Sequence, residues 1–447
     1  MFACELADPL ADVFNSSLKE GVVPTQWKEA VVAPIPKELP AVVDKLRPIS
    51  LTAIFAKICE GLVAKWVTSD VWTNIDRRQF GAIKRSSTTH CLVSLTHFLY
   101  QGAEASGNMG RIVLTDFTKA FDTVSHQRAI CRLLSMGTRA SVIPWIVSFL
   151  TERRQKVRYG SALSDWETLT SGVPQGTKLG PVIFVCMIND ASQSHDDRWK
   201  YVDDLTLGEN RSVRKQSHLQ DQVDSLEVWS NTAQLKLNPK KCMVLTVCFM
   251  KSPPPPPPIT LGGKPLLAVV VAKVLGIWLQ SNLKWDKQVC ESTKKANKRM
   301  FMLRRLKTFG LSTPDLVTVY CGYIRPILEY CAPVYHHSLT NKQTITLENV
   351  QRRACRIILG RHYHDYATSL QQCGLETLKE RRNNLCRRFA TSMEKSERTV
   401  DLLPPTRLAS HGRNLRNSKT LSLPTTRTSR FSNSPVPSLL RILNETK

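Results

Sequence analysis

Acidic residues are scarce in this chain. Against 62 lysines and arginines stand 37 aspartates and glutamates in 447 residues, a net charge of +25. A surplus of that size favours a polyanionic partner, nucleic acid ahead of an anionic membrane. The thirteen cysteines are odd in number and contain no C-x-x-C pair. That argues against a zinc knuckle and a disulfide framework, and for a reducing compartment. No basic segment opens the N-terminus, Met1-Phe2-Ala3-Cys4-Glu5, so no secretory signal is expected. The longest apolar stretch, Leu266 to Leu279, carries Lys273 and is too short to span a bilayer. Beyond Leu402 the only acid is Glu445, and the Ser, Thr, Pro and Arg composition there reads as a disordered basic tail. No internal repeat is present.

The remainder can fold, at 42% hydrophobic residues, and is long enough for two or three domains. Leu6, Leu10, Val13, Phe14 and Leu18 recur at helical spacing up to Gly21. Ala30 to Ile35 reads as a strand, and a helix is expected over about 53–68 and again over 88–105. Arg111 to Thr115 is strand-like, followed by a helix from about 125. Further helices are expected after Gly176 and over 219–234, with strands at Leu235–Asn238 and Met243–Val247. Single strands alternate with helices, which predicts an α+β body rather than a regular βαβ array. Pro253 to Pro258 must be an extended polyproline II linker.

Within that pattern, Tyr201-Val202-Asp203-Asp204 poses a chemical problem. On one regular strand two adjacent carboxylates point to opposite faces. They reach a common point only where the chain reverses, and a divalent cation relieves their repulsion there. Asp116 closes the strand-like run before it. Three acids on two strand ends suit a two-metal centre for phosphoryl transfer. Taken alone, the Asp-Asp pair is more often a solvated turn, and Asp116 a turn acid after a strand.

Over residues 286–307, Lys287, Lys294, Lys298 and Arg305 fall on one helical face at 100° per residue, with Val289, Ala296, Met300 and Leu303 opposite. A basic stripe backed by an apolar one suits a helix lying along a phosphate backbone. The plainer alternative is a lysine-rich surface helix.

Taken in order, these segments resemble the reverse transcriptases of non-LTR, LINE-like (Jockey-type) retrotransposons, from about residue 5 to 365. The series runs Pro34-Ile35-Pro36-Lys37, Arg47-Pro48-Ile49-Ser50-Leu51, Gln79-Phe80-Gly81 and Ser87-Thr88. It continues with Asp116 to Asp122, Gly172-Val173-Pro174-Gln175-Gly176, Tyr201-Val202-Asp203-Asp204 and Leu275-Gly276. The resemblance implies a right-hand polymerase with fingers, a palm of antiparallel sheet packed on helices, and a helical thumb. Its map is a lead-in helix over 1–16, fingers and palm over 17–279, thumb and following region over 280–400, and the tail over 401–447.

The resemblance further implies that Asp116, Asp203 and Asp204 are catalytic. With the main-chain oxygen of Phe117 they would hold two Mg²⁺, or Mn²⁺ in their place. Lys37 and Arg47 match residues gripping the incoming triphosphate. Phe121 matches an aromatic under the sugar that rejects a 2′-hydroxyl, and Gln175 and Gly176 match the nucleotide-contacting turn. Lys241 matches a candidate proton donor to pyrophosphate, and Leu275-Gly276 the primer grip. Asp122 is read as structural. Two features depart from the family: residues 81–88 are a less regular template element, and the hexaproline precedes the primer grip.

The expected activity is RNA-directed DNA polymerase, acting on an RNA template, a DNA primer and dNTPs, inside the cell in the nucleus. No upstream endonuclease counterpart is found, so the chain reads as a partial element. The rivals are a catalytically silent remnant that only binds RNA or RNA–DNA hybrid, and an RNA-templated RNA polymerase.

Overall fold

The computed structural model describes residues 2–37, 40, 42–43, 46–406 and 420–445. An N-terminal helix, α1 (Ala3–Glu20), seats Phe14 in the first of three apolar cores and stops at Gly21, whose φ of 67° suits a helix end. A small sheet then joins β1 (Glu29–Pro36), β2 (Leu46–Leu51) and β4 (Arg153–Tyr159). Here β1 pairs antiparallel with β2 and parallel with β4. Between them in sequence lie α2 (Ile54–Val71), α3 (Thr88–Glu104), β3 (Asn108–Thr115) and α4 (His126–Ser135).

Next come α5 (Leu179–Met187), β5 (Arg198–Tyr201), β6 (Asp204–Ser212), α6 (Leu219–Ala233), β7 (Met243–Cys248) and β8 (Leu267–Val269). The central sheet has the order β8-β7-β3-β6-β5, antiparallel except for the parallel β8–β7 edge. Both faces of this sheet are covered, because alternate residues of β3 serve different cores. Val113 points into the first core with Val63 of α2, Leu133 of α4 and Phe184 of α5. Ile112 points into the second, with Leu95 of α3.

A two-stranded hairpin, β9 (Val271–Val274) and β10 (Ile277–Gln280), leads into helical elements that include α7 (Asp286–Thr308) and α8 (Asn341–Leu359). Their separate core contains Val289, Ala296, Met300 and Leu303, the apolar stripe read from spacing, against Leu347, Val350 and Ile358 of α8. The α+β expectation holds. Among the described residues no helix is long and apolar enough to cross a membrane.

Two expectations are corrected. The chain beyond residue 401 is not a disordered tail where it is described: α10 (Pro435–Glu445) buries Val436, Leu439, Leu440 and Leu443 in the second core. There it packs with Phe389 and Met393 of α9 (Leu378–Met393). Spacing of 3, 1 and 3 residues puts those four side chains on one helical face, a signal that bulk composition conceals. Residues 407–419 lie outside the described part. Leu235–Asn238 forms no strand of its own; Leu237 makes one isolated bridge to Phe117, and Asn238 turns the chain at Pro239. The prolines at 253–258 carry no regular structure, but Arg111 Nη2 donates to the Pro257 carbonyl at 2.8 Å and ties that linker to β3.

Candidate active site

Tyr201 pairs with Asp204, leaving Val202 and Asp203 as a two-residue loop between β5 and β6. Val202 has a φ of 59°. A β-branched residue there is strained by about 1–3 kcal/mol and needs surroundings that enforce it. The segment before α3 supplies them. Gln79 Oε1 accepts from the Val202 N–H at 3.1 Å and from the Gly81 N–H at 2.9 Å. The Phe80 N–H donates to the Lys200 carbonyl at 2.8 Å, and the Lys200 N–H to the Arg78 carbonyl at 2.9 Å. A methyl group at Gly81 would stand 2.6 Å from the Val202 nitrogen.

Beneath the hairpin, Asp76 accepts from Arg198 Nη2 at 2.8 Å and pairs with Lys200 Nζ at 2.7 Å. Burial alone would raise the Asp76 pKa, yet Arg198 and Lys200 outweigh it and bring the group down to about 2. Burial brings Lys200 down to about 8, with Asp76 offsetting part of the shift. Removing the Asp76 carboxylate would leave buried cations unpaired, at a cost of about 3–5 kcal/mol. Sequence reasoning missed this support. Its only signal was the basic and acidic run Asp76-Arg77-Arg78 next to Gln79-Phe80-Gly81.

Asp116 lies one step past the last β3–β6 pair, Thr115 with Leu205, which sets it opposite Asp204. Its backbone is pinned from the other side: the Asp116 carbonyl accepts from the Asn238 N–H at 2.8 Å, and the Asp116 N–H points to Cys242 Sγ at 3.4 Å. Phe117 packs edge-on against Trp229. Asp203 and Asp204 open to solvent. Even so, enclosure by the surrounding protein, then the Asp203 and Asp116 charges, push Asp204 up to about 7. Asp203 is raised mainly by enclosure and by Asp116, while the positive charges of Lys37 and Arg47 draw it back down. The three predicted acids are therefore brought together, and both predicted fingers cations act on Asp203.

Lys241 Nζ stands 3.2 Å from Asp116 Oδ2. Phe121 is half-buried with its ring stacked on Phe184, centroids 4.6 Å apart, so the packing reading and the sugar-contact reading share one side chain. Gln175 Nε2 donates to Asp122 Oδ1 at 3.2 Å, in keeping with a structural Asp122. The Gln175 carbonyl accepts from the Ser50 N–H at 2.7 Å, anchoring the turn to the strand that carries Arg47. Gly176 has φ 110°, and a side chain there would strike the Ser50 carbonyl.

Leu275 and Gly276 form the tight loop between β9 and β10, both with positive φ. The Tyr330 hydroxyl, unnoticed in the sequence, donates to the Leu275 carbonyl at 2.7 Å and lies 3.2 Å from Thr88 Oγ1. A cavity of about 980 Å³ separates this loop from α7 and is lined by Lys273, Trp278, Lys294, Lys298 and Tyr330. Lys287 and Lys294 are ion-paired with Glu291, at 3.0 and 3.6 Å, and Arg305 lies over the Phe309 ring further along α7.

As the side chains stand, no group of three or more His, Cys, Asp or Glu among the described residues could hold a metal ion. The donor set nevertheless fits a hard divalent cation: three carboxylates crowd one strand end, and Asp116 Oδ2 is enclosed without a well-aligned hydrogen bond.

A family model for reverse transcriptase (RNA-dependent DNA polymerase) matches residues 35–285, more than half of the chain. The chain belongs to the reverse transcriptase family. Among its curated relatives is a probable RNA-directed DNA polymerase from transposon BS of Drosophila melanogaster, 27% identical over 86% of this chain and 44% of that one. Another, the RNA-directed DNA polymerase from mobile element jockey of the same species, is 28% identical over 73% of this chain and 37% of that one. This reverse transcriptase family member thus spans less than half the length of these two relatives. Others come from X-element, R1 and R2 elements, in line with the LINE-like, Jockey-type resemblance. Among solved structures, telomerase from Candida tropicalis in complex with a fragment of telomeric RNA aligns with a TM-score of 0.45. It is 11% identical over 99% of this chain and 65% of that one.

Proposed function

We propose that this reverse transcriptase family member is an RNA-directed DNA polymerase that adds deoxynucleotides to a primer 3′-hydroxyl on an RNA template. The observation that carries the reading is the convergence of Asp116, Asp203 and Asp204, with Lys37 and Arg47 acting on Asp203. Residues 17–279 serve as fingers and palm, and 280–400 as thumb and following region. Asp116, Asp203, Asp204 and the main-chain oxygen of Phe117 would hold two Mg²⁺, with Mn²⁺ a substitute. Such ions, when bound, lower the pKa of the primer hydroxyl and offset charge on the triphosphate.

Everything else falls to the chain's own groups. Lys37 and Arg47 hold phosphate oxygens, Arg47 through its planar fork. Phe121, steadied by Phe184, excludes a ribose 2′-hydroxyl, and the Gln175-Gly176 turn lets the nucleotide approach the backbone. Lys241 is the proton donor to pyrophosphate. The loop at Leu275-Gly276 holds the primer end, and Lys287, Lys294, Lys298 and Arg305 follow the nucleic-acid backbone along α7. The product is made at chromosomal DNA, which places the protein in the nucleus.

Incorporation on a primed RNA template with Mg²⁺ tests the proposal. Deoxynucleotide addition should occur and should vanish in Asp203→Ala/Asp204→Ala. Hybrid binding without incorporation by the unmodified chain would establish the silent remnant instead. A preference for ribonucleotides would overturn the role given to Phe121.

A further inference from the structure

The polymerase reading has no use for the run Pro253 to Pro258. Each proline fixes its own φ at about −65°, and every one but the last also precedes a proline, which keeps it out of the helical region. The run therefore holds the polyproline II form, with about three residues per turn and no internal hydrogen bonds. Burial follows that period. Pro256 is half-buried and Ile259, one turn on, is 2% exposed, so their ridge turns toward the body of the protein; Pro253, one turn earlier, is still exposed. Lys251, Pro254 and Pro257 form a second ridge, and Ser252, Pro255 and Pro258 a third. All of these are exposed.

Both ends of the run are held. Before it, β7 ends at Cys248, opposite Met109 of β3, and the Arg430 guanidinium lies 3.5 Å from the centre of the Phe249 ring. After it, Arg111 Nη2 holds the Pro257 carbonyl at 2.8 Å. The Ile259 carbonyl then accepts from the Leu266 N–H at 2.8 Å, and the Thr260 N–H donates to Gln220 Oε1 of α6 at 2.8 Å. The prolines are thus displayed on a fixed arch, and little freedom remains to be lost on docking. Arg111 precedes Asp116 by five residues, roughly 16 Å along β3, so the arch stands clear of the acids.

We propose that the two outward ridges dock a protein domain of the SH3 kind, whose groove is lined with aromatic rings and ends in acidic side chains. Proline rings pack between the aromatic rings at little entropic cost, because the extended form is already set. The run offers carbonyl acceptors and no N–H, which suits the hydroxyl and indole donors of an aromatic groove. Lys251 stands two turns before Pro257 on one ridge, so an acid at the end of the groove meets it. The net charge of +25 favours an acidic partner in the same way. A phosphate backbone finds little purchase, since Lys251 is the only charged residue from Phe249 to Gly263. Docking here is independent of the polymerase reading, because the run lies outside every group assigned to that activity.

The test titrates the full chain into a panel of isotope-labelled SH3 domains with acids at one end of the groove, and follows their amide resonances. For at least one domain, resonances of the aromatic groove and of its acidic end should shift or broaden as the chain is added. Lys251, Pro254 and Pro257 are exposed, so substitutions there should fold and melt with the unmodified chain. Pro254→Ala/Pro257→Ala should bind at least ~10-fold more weakly, as loss of anchoring residues does. Lys251→Glu should weaken binding about 5–10-fold and flatten its salt dependence. If the unmodified chain shifts no groove resonance in any domain of the panel, the prolines are a spacer and the proposal fails. Full binding by the double proline variant, with loss only in Lys251→Glu, would reveal plain charge attraction and overturn it equally.

Discussion

Lys241 Nζ stands 3.2 Å from Asp116 Oδ2, so an ammonium supplies the countercharge at one member of the acidic cluster. Lys241 is mostly exposed, and an ion pair in that setting contributes about 1 kcal/mol or less. A divalent ion would compete with it for the same carboxylate. In Lys241→Met the Mg²⁺ concentration for half-maximal activity should therefore fall about 2–5-fold. If Lys241 also donates a proton to pyrophosphate, kcat should drop at least ~100-fold in the same variant. An unchanged kcat would leave Lys241 as a countercharge and nothing more.

Asp204 should impose a pH dependence whose sign is fixed. Its pKa in the folded chain is about 7, above the ordinary carboxylate range, so between roughly pH 4 and 7 the folded state holds a proton that the unfolded state has lost. Stability from this group is present at low pH and declines as pH rises through that window. Without divalent ions, Asp204→Asn should melt about 1–2 °C above the unmodified chain at pH 8 and level with it near pH 4. Mg²⁺ binding should release a proton below pH 7 and tighten as pH rises, which calorimetry in buffers of different ionisation enthalpy would register. Equal melting temperatures at both pH values would contradict the assignment.

Gly81 and Val202 test how tightly the hairpin must be held. A methyl group 2.6 Å from the Val202 nitrogen forces either the loop or the Gln79 segment to move. Gly81→Ala should lower stability by about 1–3 kcal/mol. A shift of around 1 Å at the acids should also lower incorporation by roughly 100-fold. Denaturant melts and single-turnover rates measure the two effects separately; a stable variant with full activity would show the contact to be slack.

Leu440 tests whether the C-terminal helix belongs to the fold. It is 1% exposed, within the core shared by α3, α9 and α10. Leu440→Ala should cost about 2–5 kcal/mol, a loss out of reach for a side chain in a solvated tail. Urea unfolding gives the value directly.

Local rules carried most of the element assignments. The helices at α1, α2, α3 and α7, and the strand leading to Asp116, follow from spacing, because each buries one face and spacing encodes which face. The acids were legible for a different reason: alone they read as turn residues, and the ordered motifs around them, which resemble those of a reverse transcriptase, marked them out. Composition misled at the C-terminus, where averaging over Ser, Thr, Pro and Arg hid the four-residue apolar face of α10. Strand 235–238 failed because hydrophobic alternation cannot tell a ladder from one bridge beside a turn.

By itself, then, the chain's order of residues determined its α+β class through the periodicity of its apolar residues, while the family and the three acids were legible in the ordered motifs that resemble a reverse transcriptase. Tertiary structure alone decided what holds the acids in place, Gln79 and Gly81 on the hairpin and Asp76 beneath it, and what joins distant segments elsewhere, Tyr330 on Leu275 and Arg398 at Trp72. These contacts join segments tens to hundreds of residues apart. Their energies come from burial and from hydrogen bonds made only after the sheet closes, so no local pattern announces them.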